Sequence, residues 1–289
     1  MQQKFWTTYC EDVLRLGAWP AMTPPSDSLQ SAFVEFAQNE ITQRAMSGID
    51  SLVRPQLKAA EDELASAFRR FSVHFPESRT PEVFWMYSGF NYAVVPQDEL
   101  LAVGLEFFLG PKHPSVAGLP RSIYPRYAQK RMVIEHLASD ALRGWLLVHF
   151  QDEHLPKLPS TTAAIILYWG KVLYVARAIA PEIPIERLLN LSAEEYAWAQ
   201  RHELAVWLEL RKDDVLYSKS RQDANRWVRD APFTNAGALP QDSPDRLGWY
   251  MGLRWAEDYM ARHSGASLQD LLEQEDVLPF LQSYRPLQP

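Results

Sequence analysis

Apolar and aromatic side chains recur at helical spacing over most of this chain, and this periodicity restricts the possible folds more than any other feature of the sequence. The pattern is clearest in residues 28–72, where it comprises Leu29, Phe33, Phe36 and Ile41, followed by Leu57, Leu64, Phe68 and Phe71. Such spacing places the apolar side chains on one face of an α-helix. Because the ring of Pro55 does not fit inside a helix, we predict that it separates two helices.

Residues 82–108 have a different pattern. Three short runs of β-branched and aromatic residues, VFWMYSG, FNYAVV and LLAVGLEFF, are separated by turn-forming residues. This pattern indicates three strands, which we interpret as a small antiparallel meander. The predicted fold class is therefore α+β and predominantly helical, with a small antiparallel sheet.

Beyond Gly110 the sequence returns to helical periodicity. Helices are predicted at about 126–150, 160–179, 192–213, 220–230 and 247–263. Two helix starts carry capping boxes, in which a serine and an acidic residue three positions later bind each other's backbone amides: Ser192 with Glu195, and Ser267 with Asp270.

The composition excludes several classes of protein. A chain with 47% hydrophobic residues can form a sizeable core, and its length is compatible with one domain over residues 1–289, comprising helices and sheet in 1–110 and helices in 111–289. The formal charge of −7, without a run of Lys or Arg, argues against a nucleic-acid partner. Cys10 is the only cysteine, which excludes an intramolecular disulfide. The longest apolar stretch, residues 163–169, is too short for a transmembrane span.

Histidine-based metal motifs are incomplete in this sequence. His202 and Glu203 begin the His-Glu-x-x-His motif of zinc peptidases, but Val206 stands where the second histidine would be. We therefore interpret His202 and Glu203 as partly exposed polar residues of a helix. Because nucleophile elbows, phosphate loops and dinucleotide fingerprints are also missing, we predict no catalytic residue, no metal and no cofactor. The alternative is a metal-dependent hydrolase with an unconventional site drawn from His136, Asp140, His149 and His154.

Glycines inside two predicted helices indicate close packing. Gly170 interrupts an apolar helix, where a glycine costs about 1 kcal/mol relative to alanine unless a neighbour must approach closely. Gly248 and Gly252 lie one turn apart in a later helix. We expect tight helix packing at these glycines, with a ligand site as the alternative.

Seven segments resemble, in this order, the gliding-motility lipoprotein GldB family. They are FPESRTPEVFWMYSGFNYAV, LLAVGLEFFLG, YPRYAQKRM, YWGKVLY, RDAPFT, PDRLGWYMGLRWAEDYM and QSYRP, and together they extend over nearly the whole chain. This family looks like a degenerate relative of zincin-type metallopeptidases whose metal ligands have been lost. The resemblance thus implies a zincin-like, metallopeptidase-like scaffold without a working metal site.

The resemblance also implies where the former active site would lie. Residues 133–139 would be the remnant of the ligand helix, and Lys171 lies where an active relative would carry its third, acidic ligand. We therefore expect a binding cleft formed by Trp169, Gly170, Lys171, Tyr174, Asp230, Pro232, Phe233 and Asp245. Alternatively, Lys171 has a purely structural role and pairs with a carboxylate such as Asp230.

The family resemblance implies an envelope lipoprotein required for surface gliding and its linked secretion apparatus. We accordingly expect a non-enzymatic protein on the periplasmic side of the cell envelope that binds protein partners of the gliding or secretion machinery. Cys10 follows Thr-Thr-Tyr rather than an apolar run, so the family's lipid-anchor signal is not found here. Either a leader has been removed or misassigned, or the protein is cytoplasmic.

Overall fold

The structure is a computed structural model that describes residues 7–16, 26–97, 99–230, 239–240 and 243–287. Its contacts divide the chain into two compact units. The first comprises the described residues of Met1–Asp62 and Pro81–Ala141, and the second comprises those of Glu63–Thr80 and Leu142–Pro289. The predicted predominance of helix is confirmed, whereas the predicted antiparallel sheet is not.

Pro55 interrupts the helical N-terminal region, as predicted. The α-helices there are α1 (Ser26–Gln38), α2 (Glu40–Gly48) and α3 (Leu57–His74). A π-helical turn (Ile49–Val53) and the 3-10 turn that contains Pro55 (Arg54–Gln56) connect α2 to α3. A further break occurs between α1 and α2, where the side chain of Asn39 accepts a 2.9 Å hydrogen bond from the amide of Ile41 and so caps α2.

The sheet of the first unit is mixed rather than antiparallel. Its described strands are β1 (Glu82–Met86), β2 (Val94–Pro96) and β3 (Leu100–Gly104), in the order β1-β3-β2. β3 pairs with β1 in parallel and with β2 in antiparallel orientation. The meander prediction is therefore wrong, because it assumed that consecutive strands are neighbours.

The side chain of Glu106 accounts for the bend between β1 and β2. Its Oε1 atom accepts hydrogen bonds from the amides of Ser88 and Phe90, at 2.7 and 3.0 Å. Gly89 and Phe90 both have positive φ angles, of 67° and 62°, so the chain curls around this buried carboxyl group. Residues 87–91 therefore form a turn instead of continuing as a strand.

The predicted helix over residues 126–150 is interrupted in the structure. Helix α4 (Pro114–Ala117) precedes the predicted helix, and α5 (Arg126–Lys130) lies at its start. The 3-10 turn Ile134–His136 then leads into α6 (Leu137–His154). Val133 forms an isolated antiparallel bridge with Leu109, which requires extended backbone at that point. A long-range pairing thus overrides the local helical pattern.

Helices make up most of the second unit. They are α7 (Thr162–Ile179), α8 (Ile185–Leu188), α9 (Ala193–Arg201), α10 (Glu203–Leu210), α11 (Arg221–Val228), α12 (Leu247–Arg262), α13 (Leu268–Glu273) and α14 (Leu278–Ser283). Both predicted capping boxes are present, at the starts of α9 and α13. The predicted helix 192–213 is instead split at His202, whose ψ angle of 11° is not helical.

Helices α7 and α12 cross at Gly170 and Gly252, where their backbones are in close contact. A Cβ atom added to Gly170 would lie 2.1 Å from the backbone carbonyl of Gly252, and one added to Gly252 would lie 2.1 Å from that of Ile166. Side chains at either position would therefore push the helices apart. The prediction of tight helix packing at Gly170 is confirmed.

Helix α7 is also the one described helix that is long and apolar enough to cross a membrane by length and composition. Its 18-residue window is 72% buried inside the protein. Such burial is typical of a core helix, which needs apolar side chains around most of its circumference.

Candidate binding site

Arg246 connects two of the predicted site residues. It directly precedes α12 in a left-handed conformation, with a φ angle of 54°. Its Nη1 atom lies 3.0 Å from Oδ1 of Asp230 and its Nη2 atom 3.2 Å from Oδ1 of Asp245. Nη2 also donates a 2.7 Å hydrogen bond to the carbonyl of Asn190. The guanidinium group is almost fully buried, so these partners replace the water that it loses.

Two tryptophans extend this cluster. The guanidinium carbon of Arg246 lies 4.8 Å from the ring centroid of Trp249, within cation–π distance. Trp249 stacks on Trp169, the first predicted site residue, with 3.9 Å between centroids and 16° between ring planes. The guanidinium carbon of Arg143 lies 5.5 Å from the ring centroid of Trp249. Trp169 and Asp230 are thus parts of one assembly, which we call the Arg246 cluster.

Arg143 anchors the Arg246 cluster to a neighbouring helix. Its Nη1 atom donates hydrogen bonds to the carbonyls of Arg187 and Leu188, at 3.3 and 3.1 Å. Both carbonyls lie at the C-terminal end of α8, where cations are favoured.

The Arg246 cluster has a buried interior and an exposed rim. The side chain of Asp245 is buried, but that of Asp230 is 54% exposed, and Trp169 is half-buried. The buried arginines contact Asp230 and Trp249, and the exposed part of the cluster, its rim, presents the Asp230 carboxylate and the Trp169 indole.

Lys171 does not join the Arg246 cluster. Only 1% of this residue is exposed, and its Nζ atom donates hydrogen bonds to the carbonyls of Leu272 and Gln274, the first at 3.3 Å. Nζ also lies 5.4 Å from the ring centroid of Phe280. The alternative in which Lys171 pairs with a carboxylate such as Asp230 is therefore wrong as to the partner, because the ammonium instead caps the C-terminal end of α13.

The other predicted site residues have separate locations. Gly170 lies in the contact between α7 and α12, and Tyr174 is half-buried farther along α7. Pro232 and Phe233 lie outside the residues that the structure describes.

Glu203 is another residue whose role differs from the prediction. It is fully buried, not partly exposed, and accepts hydrogen bonds from the hydroxyls of Tyr250 and Tyr284 and from the amide of Leu287. Arg254 lies 3.3 Å from the same carboxylate. Burial, and next to it the Glu203 carboxylate, raise the pKa values of both tyrosines above the ordinary range. Glu203 thereby fixes the C-terminal segment to α12.

Two histidines of the alternative hydrolase hypothesis, His149 and His154, pack against aromatic rings. His149 stacks on Trp145 with 4.7 Å between ring centroids, and His154 contacts Phe150 edge-on. His136 and Asp140 belong to the first unit, whereas His149 and His154 belong to the second. Among the described residues, no group of three His, Cys, Asp or Glu has a metal-binding arrangement.

Sequence reasoning missed the roles of Arg246, Trp249 and Arg143, and it assigned Glu203 to a partly exposed position instead of the core. The segment PDRLGWYMG contains both Arg246 and Trp249, and an arginine beside an aspartate before a largely apolar helix was the available signal. Nothing local distinguishes Arg143, because its partners lie 44 and 45 residues away in sequence.

These features define the class of the protein. It is predominantly helical, with a small mixed sheet and a candidate binding site in which an arginine pairs with aspartates and two tryptophans stack on each other. The sequence profile of the gliding motility protein GldB matches residues 2–286, and the chain therefore belongs to the GldB family. Comparisons with curated proteins and with solved structures find no match.

Proposed function

We propose that this gliding-motility-related protein is a non-enzymatic component of the cell envelope that binds protein partners of the gliding machinery or its linked secretion apparatus. Membership of the GldB family, whose profile is one of lipoproteins, supports the envelope association. The proposal places the protein on the periplasmic side.

The Arg246 cluster is the single observation that carries the binding role. Its buried arginines are engaged with carboxylates, carbonyls and a tryptophan ring, which are structural contacts rather than an acid–base pair. Aromatic side chains and arginines are enriched at protein interfaces, and half-buried Trp169 has this character. We propose that the rim formed by Trp169 and Asp230 contacts the partner.

The degenerate zincin-like scaffold implied by the family resemblance is part of this proposal. On this view, the former ligand positions have been taken over by structural contacts, as the hydrogen bonds of Lys171 to the end of α13 illustrate. A pseudoenzyme of this kind would retain the shape of a peptidase and use it for binding.

Genetic complementation in the native organism tests the proposed function. Deletion of the gene should abolish surface spreading, and the wild-type chain should restore it. Trp169→Ala with Asp230→Asn should fail to restore spreading, while immunoblotting shows that the protein accumulates normally, because Arg246 keeps Asp245 and the carbonyl of Asn190 as partners. Glu194→Gln, an exposed carboxylate on α9, is the matched control and should restore spreading.

A deletion strain that spreads normally would contradict the link to gliding. Full restoration by the rim double variant would leave that link intact but remove the rim as the partner surface. Loss of restoration by His149→Ala with His154→Ala, together with loss of bound zinc, would instead favour the hydrolase alternative.

A further inference from the structure

A long stretch of the first unit is basic and contains no acidic residue. Residues 107–134 include five lysines and arginines and no aspartate or glutamate. The chain as a whole has a formal charge of −7, so this stretch has the opposite sign. Among its cations, Arg121, Arg126 and Lys130 are exposed, and none of the three forms an ion pair with another described residue. These positive charges are therefore available to a partner outside the chain.

An isoleucine protrudes from a turn in the middle of this stretch. Residues 120–125, which we call the Ile123 loop, have a proline at each end, and 68% of Ile123 is exposed. The carbonyl of Pro120 accepts hydrogen bonds from the amides of Ile123 and Tyr124, at 3.0 and 2.8 Å, which close the turn. The loop thus presents a branched apolar side chain to the solvent beside exposed arginines.

Tyr124 and Gln129 fix the Ile123 loop to the first unit. The hydroxyl of Tyr124 donates a hydrogen bond to the carbonyl of Phe90, and its ring centroid lies 6.0 Å from that of Phe107. The side-chain amide of buried Gln129 donates a 2.9 Å hydrogen bond to the carbonyl of Tyr124. Because residues next to Ile123 make these contacts, its own side chain can be replaced without loss of the contacts that hold the loop.

The N-terminal segment adds a cation beside the Ile123 loop. Arg15 is exposed, and its Nε and Nη2 atoms donate hydrogen bonds to the Tyr92 hydroxyl, at 3.2 and 2.7 Å. Burial raises the pKa of the Tyr124 hydroxyl, Glu106 adds to this shift, and Arg15 opposes it, as expected for a cation near the loop. The basic surface therefore extends from the loop towards Arg15.

An apolar side chain among cations suits the surface of an anionic membrane. Lysines and arginines are attracted to anionic lipid headgroups, and apolar side chains enter the boundary between headgroups and acyl chains. An acidic protein would attract the same cations, but it would also need a pocket that matches Ile123. A bilayer has an apolar layer beneath all its headgroups, so the protruding isoleucine favours lipid as the partner.

We propose that the Ile123 loop is a membrane-contact site, in which the side chain of Ile123 enters the headgroup region and Arg121, Arg126 and Lys130 contact anionic phospholipid headgroups. The inference deepens the proposed function, on whose envelope location it rests, because it states which part of the first unit meets the lipid. The Arg246 cluster belongs to the second unit and remains the proposed surface for protein partners.

Vesicle flotation of the purified full chain tests the proposal. The protein should float with vesicles of equimolar phosphatidylcholine and phosphatidylglycerol, and it should not float with vesicles of phosphatidylcholine alone. Added salt should weaken the binding, because it screens the attraction between exposed charges. Equal binding to both kinds of vesicle, or binding to neither, would overturn the proposal.

Matched substitutions locate the basic surface. Arg121→Gln with Arg126→Gln should weaken binding to the mixed vesicles by about tenfold or more, because each cation near an anionic surface contributes about fivefold. Arg221→Gln with Arg226→Gln removes the same charge from exposed positions of the second unit and should have a much smaller effect. If the two double variants weaken binding equally, only the net charge of the chain matters and the proposal fails.

A fluorescent label tests whether position 123 enters the lipid. Ile123→Cys carrying a nitrobenzoxadiazole label, which brightens in apolar surroundings, should brighten when mixed vesicles are added. Val73→Cys with the same label is the control at another exposed apolar position and should not brighten. The native Cys10 is buried, so the label reacts with the introduced cysteine. Equal responses at both positions, or no response at position 123, would show that the loop does not enter the bilayer.

Surface spreading separates this proposal from the proposed function. If the deletion strain fails to spread, and Arg121→Gln with Arg126→Gln neither floats well nor restores spreading, both ideas are supported. If the wild-type chain does not float but this variant still fails to restore spreading, the membrane contact is overturned in favour of an acidic protein partner, and the gliding role stands. If the deletion strain spreads normally, the gliding role fails, whereas flotation that depends on the loop would still support the membrane contact.

Discussion

Lys171 and Glu203 are two buried ionisable residues that the structure stabilises in different ways. Glu203 has two tyrosine hydroxyls, a backbone amide and an arginine as partners, so its charge is well compensated. Lys171 has carbonyl oxygens and an aromatic ring instead. Burial lowers the pKa of the Lys171 ammonium to about 8, and the nearby Glu275 carboxylate only partly opposes this shift.

The lowered pKa of Lys171 predicts a specific dependence of stability on pH. Between about pH 8 and pH 10.5 the unfolded chain binds the proton of Lys171 more tightly than the folded chain does. Stability should therefore rise with pH across this window, by about 1 kcal/mol per pH unit from this group. Lys171→Met lacks the titrating group, so the free energy of unfolding of the wild type, relative to that of the variant, should increase as pH rises.

Chemical denaturation at several pH values measures this difference. Lys212→Met, which changes an exposed lysine, is the control and should keep the wild-type pH dependence. A wild-type advantage that stays constant from pH 8 to pH 10.5 would show that the ammonium is not destabilised by burial.

Helices α7 and α12 depend on glycine for their close approach. Sequence reasoning located this contact correctly, because a glycine inside an apolar helix is unfavourable without a close neighbour. The partner of Gly170, however, is Gly252, and a single glycine does not identify its partner. The sequence therefore predicted close packing at Gly170 correctly, but only the three-dimensional structure identified α12 as the partner helix.

Gly170→Leu should destabilise the protein strongly. Overpacking alone costs about 1–3 kcal/mol, and here the added side chain would collide with the backbone of α12, which moves less readily than a side chain. Gly265→Leu is the matched control, since no heavy atom lies within 4 Å of the position of its Cβ, and it should change stability by about 0.5 kcal/mol or less. Similar thermal midpoints for the two variants would contradict the tight-packing interpretation.

The whole chain is predicted to fold as one domain, whereas its contacts divide it into two compact units. The boundary between the units falls within α3 and within α6. Buried residues of both units belong to these helices, for example Ala60 and Phe71 in α3. Unfolding of one unit would therefore disrupt a helix that supplies core residues to the other.

A single cooperative transition is the expected result for thermal unfolding of the full chain. The calorimetric enthalpy should equal the van't Hoff enthalpy, as it does in two-state proteins. Gly170→Leu, which acts in the second unit, should lower the midpoint of the whole transition without splitting it. Two resolved transitions, of which only one responds to Gly170→Leu, would show that the units unfold independently.

The folded protein is also predicted to bind no stoichiometric transition metal. His149 and His154 are packed against aromatic rings, and a zinc site needs at least three converging ligands. Elemental analysis of protein purified without chelator should therefore find far less than one zinc per chain. About one zinc per chain, lost in His136→Ala or His149→Ala, would instead support the hydrolase alternative.

The sequence by itself determined the helical character, the two capping boxes, the interruption at Pro55 and the close packing at Gly170. Each depends on residues within a few positions of one another, so local periodicity and backbone chemistry suffice. Only the tertiary structure decided the strand order, the partners of Lys171 and the assembly of the Arg246 cluster. Those features join groups that are distant in sequence, and a buried charge takes whichever partner the packing brings within hydrogen-bond distance.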